Sequence, residues 1–192
     1  NPNGTWNASL SIGTSGRDSI ESIALLPNGD VIVAGNFCLK SIGSPCELSL
    51  GDLDPLQKED EDDNGNVFLA RLSRDGIWSW ANQFGNADYN FVFDMMVTQS
   101  NEIHLGILYR GALEFNGEIV EGSTEMNLMI ATFNEAGESL SQVSIVGIDG
   151  LEVIGGICQD GAGQAYAVAT FNGQVQVVET LFSSAGETDL MV

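Results

Sequence analysis

The run Asp60-Glu61-Asp62-Asp63-Asn64-Gly65 places side-chain oxygens at its first, third and fifth positions, Asp60, Asp62 and Asn64, with glycine at the sixth. Alternate residues of a turn converge on one cation and glycine permits the bend, so this pattern opens a calcium loop. The twelfth position is Arg71 where an EF-hand needs a bidentate acid, which excludes that motif and leaves Asp52, Asp54 or Glu59 to complete a shell. Carboxylates about 5 to 7 Å apart in water repel by under about 1 kcal/mol per pair, so a solvated acidic loop without a cation is the more ordinary reading. If calcium binds there, the expected affinity is the weak one of extracellular modules.

The remaining chemistry-bearing residues are sparse. Cys38 and Cys46 flank the turn-like stretch Ser41-Ile42-Gly43-Ser44-Pro45, where a disulfide and two free thiols are both open readings. Cys158 sits in an apolar run and is expected as a small buried hydrophobe. His104 is the only histidine and lies on an alternating strand, where a structural role outweighs a catalytic one. It shares no zinc spacing with the cysteines, and Gly147 to Gly156 lacks the strand, lysine and helix of a phosphate loop. No catalytic residue is assigned, and no cofactor beyond calcium.

These residues ride on a strongly acidic chain. Among 192 residues, 27 acids face 6 bases, a formal net charge of -21. Nucleic acid and anionic membrane surfaces are excluded as partners by that balance, whereas salty extracellular surroundings suit it, because ions screen self-repulsion. No stretch approaches the roughly 18 apolar residues of a membrane-spanning helix, so no membrane insertion is expected. Asn3-Gly4-Thr5 and Asn7-Ala8-Ser9 match the glycosylation acceptor pattern.

The elements that position these residues repeat three times. Asn28 to Phe37, Ser100 to Tyr109 and Ala162 to Phe171 answer to one another, as do Asn66 to Leu72, Asn127 to Phe133 and Asp189 to Val192. A third block, ending in glycine, recurs as Gly4 to Gly13, Gly76 to Gly85 and Gly137 to Gly147, with Trp6 and Trp78 matched by Ser139. Phe37, Tyr109 and Phe171 are 72 and 62 positions apart, Asn66, Asn127 and Asp189 are 61 and 62 apart, so the first unit carries about eleven extra residues before Asn66. Each block is short, rich in Val, Ile, Leu and aromatics, and bounded by turn pairs such as Asn28-Gly29 and Asn116-Gly117, the pattern of antiparallel strands. The one helix-like stretch, Asp54 to Asp60, is short and cut by Pro55. The expectation is an all-β chain of antiparallel four-stranded blades: repeat 1 over 1–72 with its acidic insertion at about 44–65, repeat 2 over 73–133, repeat 3 over 134–192.

With the Trp strand ending in Phe84-Gly85, and with Pro27-Asn28-Gly29-Asp30-Val31-Ile32-Val33-Ala34-Gly35-Asn36-Phe37, the unit resembles the bacterial β-propeller repeats sometimes called SBBP repeats. The resemblance implies a propeller fold and a secreted or cell-surface location, and brings no shared reaction with it. A non-catalytic binding or assembly module is therefore expected, with a protein or glycan as ligand. The alternative is part of a propeller hydrolase or lyase whose catalytic residues lie in other blades. Three blades leave open sheet faces and edges, so the expected partners are other blades of the same protein or other copies of this chain, the latter by addition of Thr5 to Ile12 beside Asp189 to Val192. Such a contact closes into a ring or runs on as a filament.

Overall fold

The computed structural model describes residues 9–40, 45–58, 64–85, 88–152 and 155–192. Every regular element among them is a β-strand, and every pairing is antiparallel. The first unit contains β1 (Arg17–Leu25), β2 (Val31–Leu39), the short hairpin β3 (Cys46–Leu48) and β4 (Leu56–Lys58), then β5 (Asn66–Leu72) and β6 (Trp78–Phe84). Its long strands form one sheet in the order β1-β2-β5-β6, with β3-β4 paired separately. The second repeats the plan with β7 (Tyr89–Val97), β8 (Ile103–Arg110), the hairpin β9 (Leu113–Phe115) and β10 (Glu118–Val120), β11 (Asn127–Phe133) and β12 (Ser139–Gly147). The third is more broken: β13 (Leu151–Glu152), β14 (Ile157–Gln159), β15 (Ala165–Ala167), β16 (Ala169–Phe171), the hairpin β17 (Gln174–Val177) and β18 (Thr180–Ser183), and β19 (Asp189–Met191).

The second sheet runs β7-β8-β11-β12 and continues through β17 and β18, while β13-β16-β19 and β14-β15 make up the third layer. Hydrogen bonding divides the chain after the Trp strand: Trp78–Phe84 ladders with Asn66–Leu72, in register Val67 to Phe84, and so closes the first sheet. The short helix-like stretch discounted at Asp54 to Asp60 carries strand β4 at Leu56–Lys58, whose Leu56 pairs with Leu48. Alternation of apolar and polar residues wins over the weak helical pattern once Leu56 has an apolar face to cover.

Why these segments become strands follows from their turns. Type-specific loops close each pair: Gly29, Gly76, Gly117, Gly137 and Gly163 all take positive φ, a region open to glycine at little cost. Asn28, Asn134 and Asp160 accept backbone N–H groups within three of those turns, and Asp30 accepts the Arg74 N–H from the turn between β5 and β6. Both leading strands carry a bulge at the same place, between Ile20 and Ser22 in β1 and between Val92 and Asp94 in β7. A bulge re-aims the side chains beyond it, and here it does so identically in two sheets 72 residues apart.

The sheets stack face to face. The main core lies between the first and second: Ile32, Ala34, Val67, Leu69 and Phe84 from one side, Ile103, Leu105, Ile107, Tyr109, Met129 and Phe133 from the other. Phe84 stacks on Phe115 at 4.7 Å between centroids. A smaller core joins the second sheet to the third through Leu128, Ile145 and Val175 against Ala169 and Phe171. The remaining core covers the far face of the first sheet, where Phe37, Phe68 and Trp78 bury against Cys46, Leu48, Leu50 and Leu56.

Candidate functional site

Of the three residues proposed for calcium, Asp60 and Asp62 lie outside the described residues, and Asn64 is described two residues before β5. Among the described residues, no group of three or more His, Cys, Asp and Glu side chains is gathered in a way that could hold a metal ion. Residues Thr5 to Ala8 of the proposed added strand also lie outside the description, and Ser9 to Ile12 form no strand. Cys38 and Cys46 are joined in a disulfide, with Cα atoms 5.9 Å apart. Cys158 is a free, exposed thiol rather than the expected buried hydrophobe. It pairs with Tyr166 on the face of the third layer turned away from the second sheet, so its apolar neighbours along the chain do not cover it.

His104 is nine-tenths buried in β8, opposite Thr132 in the ladder, and its Nδ1 lies 3.0 Å from the Thr132 hydroxyl. Burial holds the imidazole below its ordinary pKa, against a raising influence from Glu102. The imidazole is therefore neutral at pH 7, and among the described residues it meets a cross-strand hydroxyl. Asp30 is buried at the first turn, where the Arg74 backbone N–H and the Arg71 guanidinium hold its carboxyl below the usual range. Arg71 donates from both Nε and Nη2 to the same Asp30 oxygen, at 3.0 and 2.7 Å.

Other polar side chains tie sheet to sheet. Asn36, fully buried in β2, donates to the carbonyl of Asn90 at 3.1 Å and accepts from the Val92 N–H at 3.1 Å, taking the part of a strand backbone toward β7. Asp94 does the equivalent for the next seam by accepting the Ile157 N–H at 2.8 Å. The turn after β11 receives Arg71 and Trp80 on the carbonyl of Glu135 and Asn82 on that of Gly137. Asn127 fastens its own loop, donating to Tyr109, Ser123 and Glu125 carbonyls and accepting the Gly147 N–H. Its counterpart Asn66, 61 positions earlier, keeps its Oδ1 without a hydrogen-bond partner among the described residues, because the Gly85 N–H is taken by Glu114.

A concavity with mixed apolar and polar lining sits at the far end of the first sheet. A crevice of about 270 Å³ runs between β1 and the inserted hairpin, lined by Ile12, Asp18, Ser19, Ile20, Leu48 and Phe68. Its polar members are limited in what they can do. Both Asp18 oxygens are engaged, one by the Thr14 N–H, the other by the Thr14 hydroxyl and the Cys38 N–H. The Ser19 hydroxyl has no partner among the described residues, and therefore no base to activate it. Ile12, Ile20, Leu48 and Phe68 give the crevice an apolar contact surface.

Sequence reasoning missed Asn36, Asp94 and Asp18. Each is an ordinary polar residue within a strand pattern, and only the approach of a neighbouring strand or turn gives it a role. The chain matches no family model, and no curated protein matches it.

Proposed function

We propose that this chain is a non-catalytic extracellular module of blade-type β-repeats, similar to the bacterial β-propeller repeats, that acts by binding a protein or glycan or by assembling with other sheets. The observation that supports this reading is how its polar side chains are used. Asp18, Asp30, Asp94, Asn36, Asn127 and His104 are all engaged in holding turns and seams. Catalysis by hydrolysis needs a base facing a nucleophile or a pair of carboxylates across a cleft. Exposed apolar side chains instead offer contact surface, among them Ile23 and Leu25 on β1, Val178 and Leu181 at the β17-β18 hairpin, and Leu190 on β19.

The test is a paired assay on the purified chain. Incubation with neutral and anionic polysaccharides is expected to release no reducing ends, while glycan and protein arrays retain the chain in the presence of 0.5 M NaCl, where about 4 Å of Debye screening removes loose electrostatic binding. Turnover that a single Asp-to-Asn substitution abolishes would overturn the reading.

A further inference from the structure

We infer that residues 10–12 and 45–58 form an end cap, which occupies the place of a preceding sheet and closes the first sheet to association with another. The inference goes beyond the function proposed above and holds whatever the module binds.

It rests on the repeat register. One face of each sheet looks back along the stack. In the second sheet that face presents Leu105, Tyr109, Met129 and Ala131, all buried against the first sheet. In the third layer, Phe171 and Met191 stand 62 positions after Tyr109 and Met129, and both pack on the second sheet. The same positions of the first sheet are Val33, Phe37, Phe68 and Ala70, 72 or 61 residues earlier, and they are buried too. What covers them is the chain's own insertion: Cys46, Leu48, Leu50 and Leu56, with Ile12 alongside.

The hairpins show the same substitution of roles. In the second unit the hairpin reaches back to the preceding sheet, where Glu114 and Gly85 exchange backbone hydrogen bonds of 2.8 and 3.1 Å. In the third, β17 ladders directly onto β12. The hairpin β3-β4 makes no such reach. It folds onto the face of its own sheet, is joined to the end of β2 by the Cys38–Cys46 disulfide, and brings Gln57 O to the Gln83 side chain of β6 at 2.9 Å. Residues Leu10 to Ile12 line the adjoining crevice beside Trp78 and Gly51.

The cap covers the second, third and fourth strands of the sheet and stops short of β1. Ile20, Ile23 and Leu25 are 58, 68 and 70% exposed, whereas their counterparts 72 positions on, Val92 and Met95, are 1 and 5% exposed and Val97 is partly buried. An incoming sheet would therefore meet one bare strand and three covered ones, so the stack has a closed end here.

The experiment exchanges Leu39–Gly65 for Gly111–Met126, the register-matched loop of the second unit, with Cys38→Ser. Sedimentation velocity is expected to show concentration-dependent association of this variant beyond any that the parent shows, and acrylamide quenching of tryptophan emission is expected to rise at least twofold. A second variant, Cys38→Ser with Cys46→Ser, keeps the chain otherwise intact should the exchange not fold. It is expected to raise quenching at unchanged far-ultraviolet circular dichroism, and the rise is expected to vanish in a Trp78→Phe background. In the parent, any association is expected to survive Ile23→Asp. Association of the parent that Ile23→Asp abolishes, or variants whose Trp78 stays as protected and whose mass stays as constant as the parent's, would overturn the end cap.

Discussion

His104 is the chain's single histidine, and its imidazole is held neutral by burial between strands, next to the Thr132 hydroxyl. The consequence for stability has a definite sign. Its pKa is lowered on folding, so as pH falls below about 6.5 the unfolded chain takes up a proton that the folded chain resists. Stability is then lost progressively from about pH 6.5 downward, ahead of the carboxylates. Asp30 adds its own loss only when pH falls below the ordinary carboxylate range, since its folded pKa is depressed by Arg74 and Arg71. Melting temperature measured from pH 8 to pH 5 is expected to fall in the parent and to stay nearly level in His104→Gln. A parallel fall in both would assign the acid sensitivity to other groups. His104 was legible in the sequence as a structural strand residue, because a lone histidine in an alternating run has no partner pattern. Its hydrogen-bond partner was not, because Thr132 is 28 residues away and enters only through register.

At the scale of elements, the strand blocks were legible because apolar alternation and glycine turns fix them locally, and the 72, 61 and 62 spacings recur in the strand starts themselves. The place where one sheet ends was not legible, since Trp78–Phe84 has an apolar face that suits either neighbour, and only its ladder with Asn66–Leu72 decides. Cys158 shows the same limit: an apolar run names a strand but not which face of it will be covered. The seams between sheets depend on polar residues that no spacing announces. Asn36 is the clearest, because its amide stands in for a strand backbone toward Asn90 and Val92. Asn36→Ala leaves a buried N–H and a buried carbonyl unpaired, each worth about 1–3 kcal/mol, for a total of about 2–6 kcal/mol. In a chain of this size that corresponds to a melting temperature lower by about 4–24 °C, measurable by differential scanning calorimetry. A change under about 1 °C would mean that water replaces the amide without loss.

On the scale of the whole molecule, the stack of sheets was legible as repetition, whereas its closed end was not. The eleven extra residues of the first unit read as a loop from sequence, yet the apolar residues of this inserted region, Leu48, Leu50 and Leu56, are buried on the outer face of the first sheet, which no other described sheet covers. The acidic composition acts at this scale as well. With 27 acids and 6 bases, most carboxylates have no cation to face, and ion pairs among the described residues include Arg71 with Asp30 and Arg74 with Asp75. Folding concentrates the net charge of -21 into a compact stack, so mutual repulsion opposes the folded state more than the unfolded one. Salt shortens the Debye length from about 30 Å at 0.01 M to about 4 Å at 0.5 M and removes most of that repulsion. Melting temperature is therefore expected to rise by about 3 °C or more between 0.01 and 0.5 M NaCl, equivalent to about 1 kcal/mol or more. KCl should act equally, because screening depends on ionic strength and not on the identity of the cation. Replacing four exposed acids remote from the seams, Glu118, Glu125, Glu179 and Glu187, by glutamine should flatten the salt dependence while raising the low-salt melting temperature. A salt response that is undiminished in this variant would place its origin in apolar burial and not in the charge.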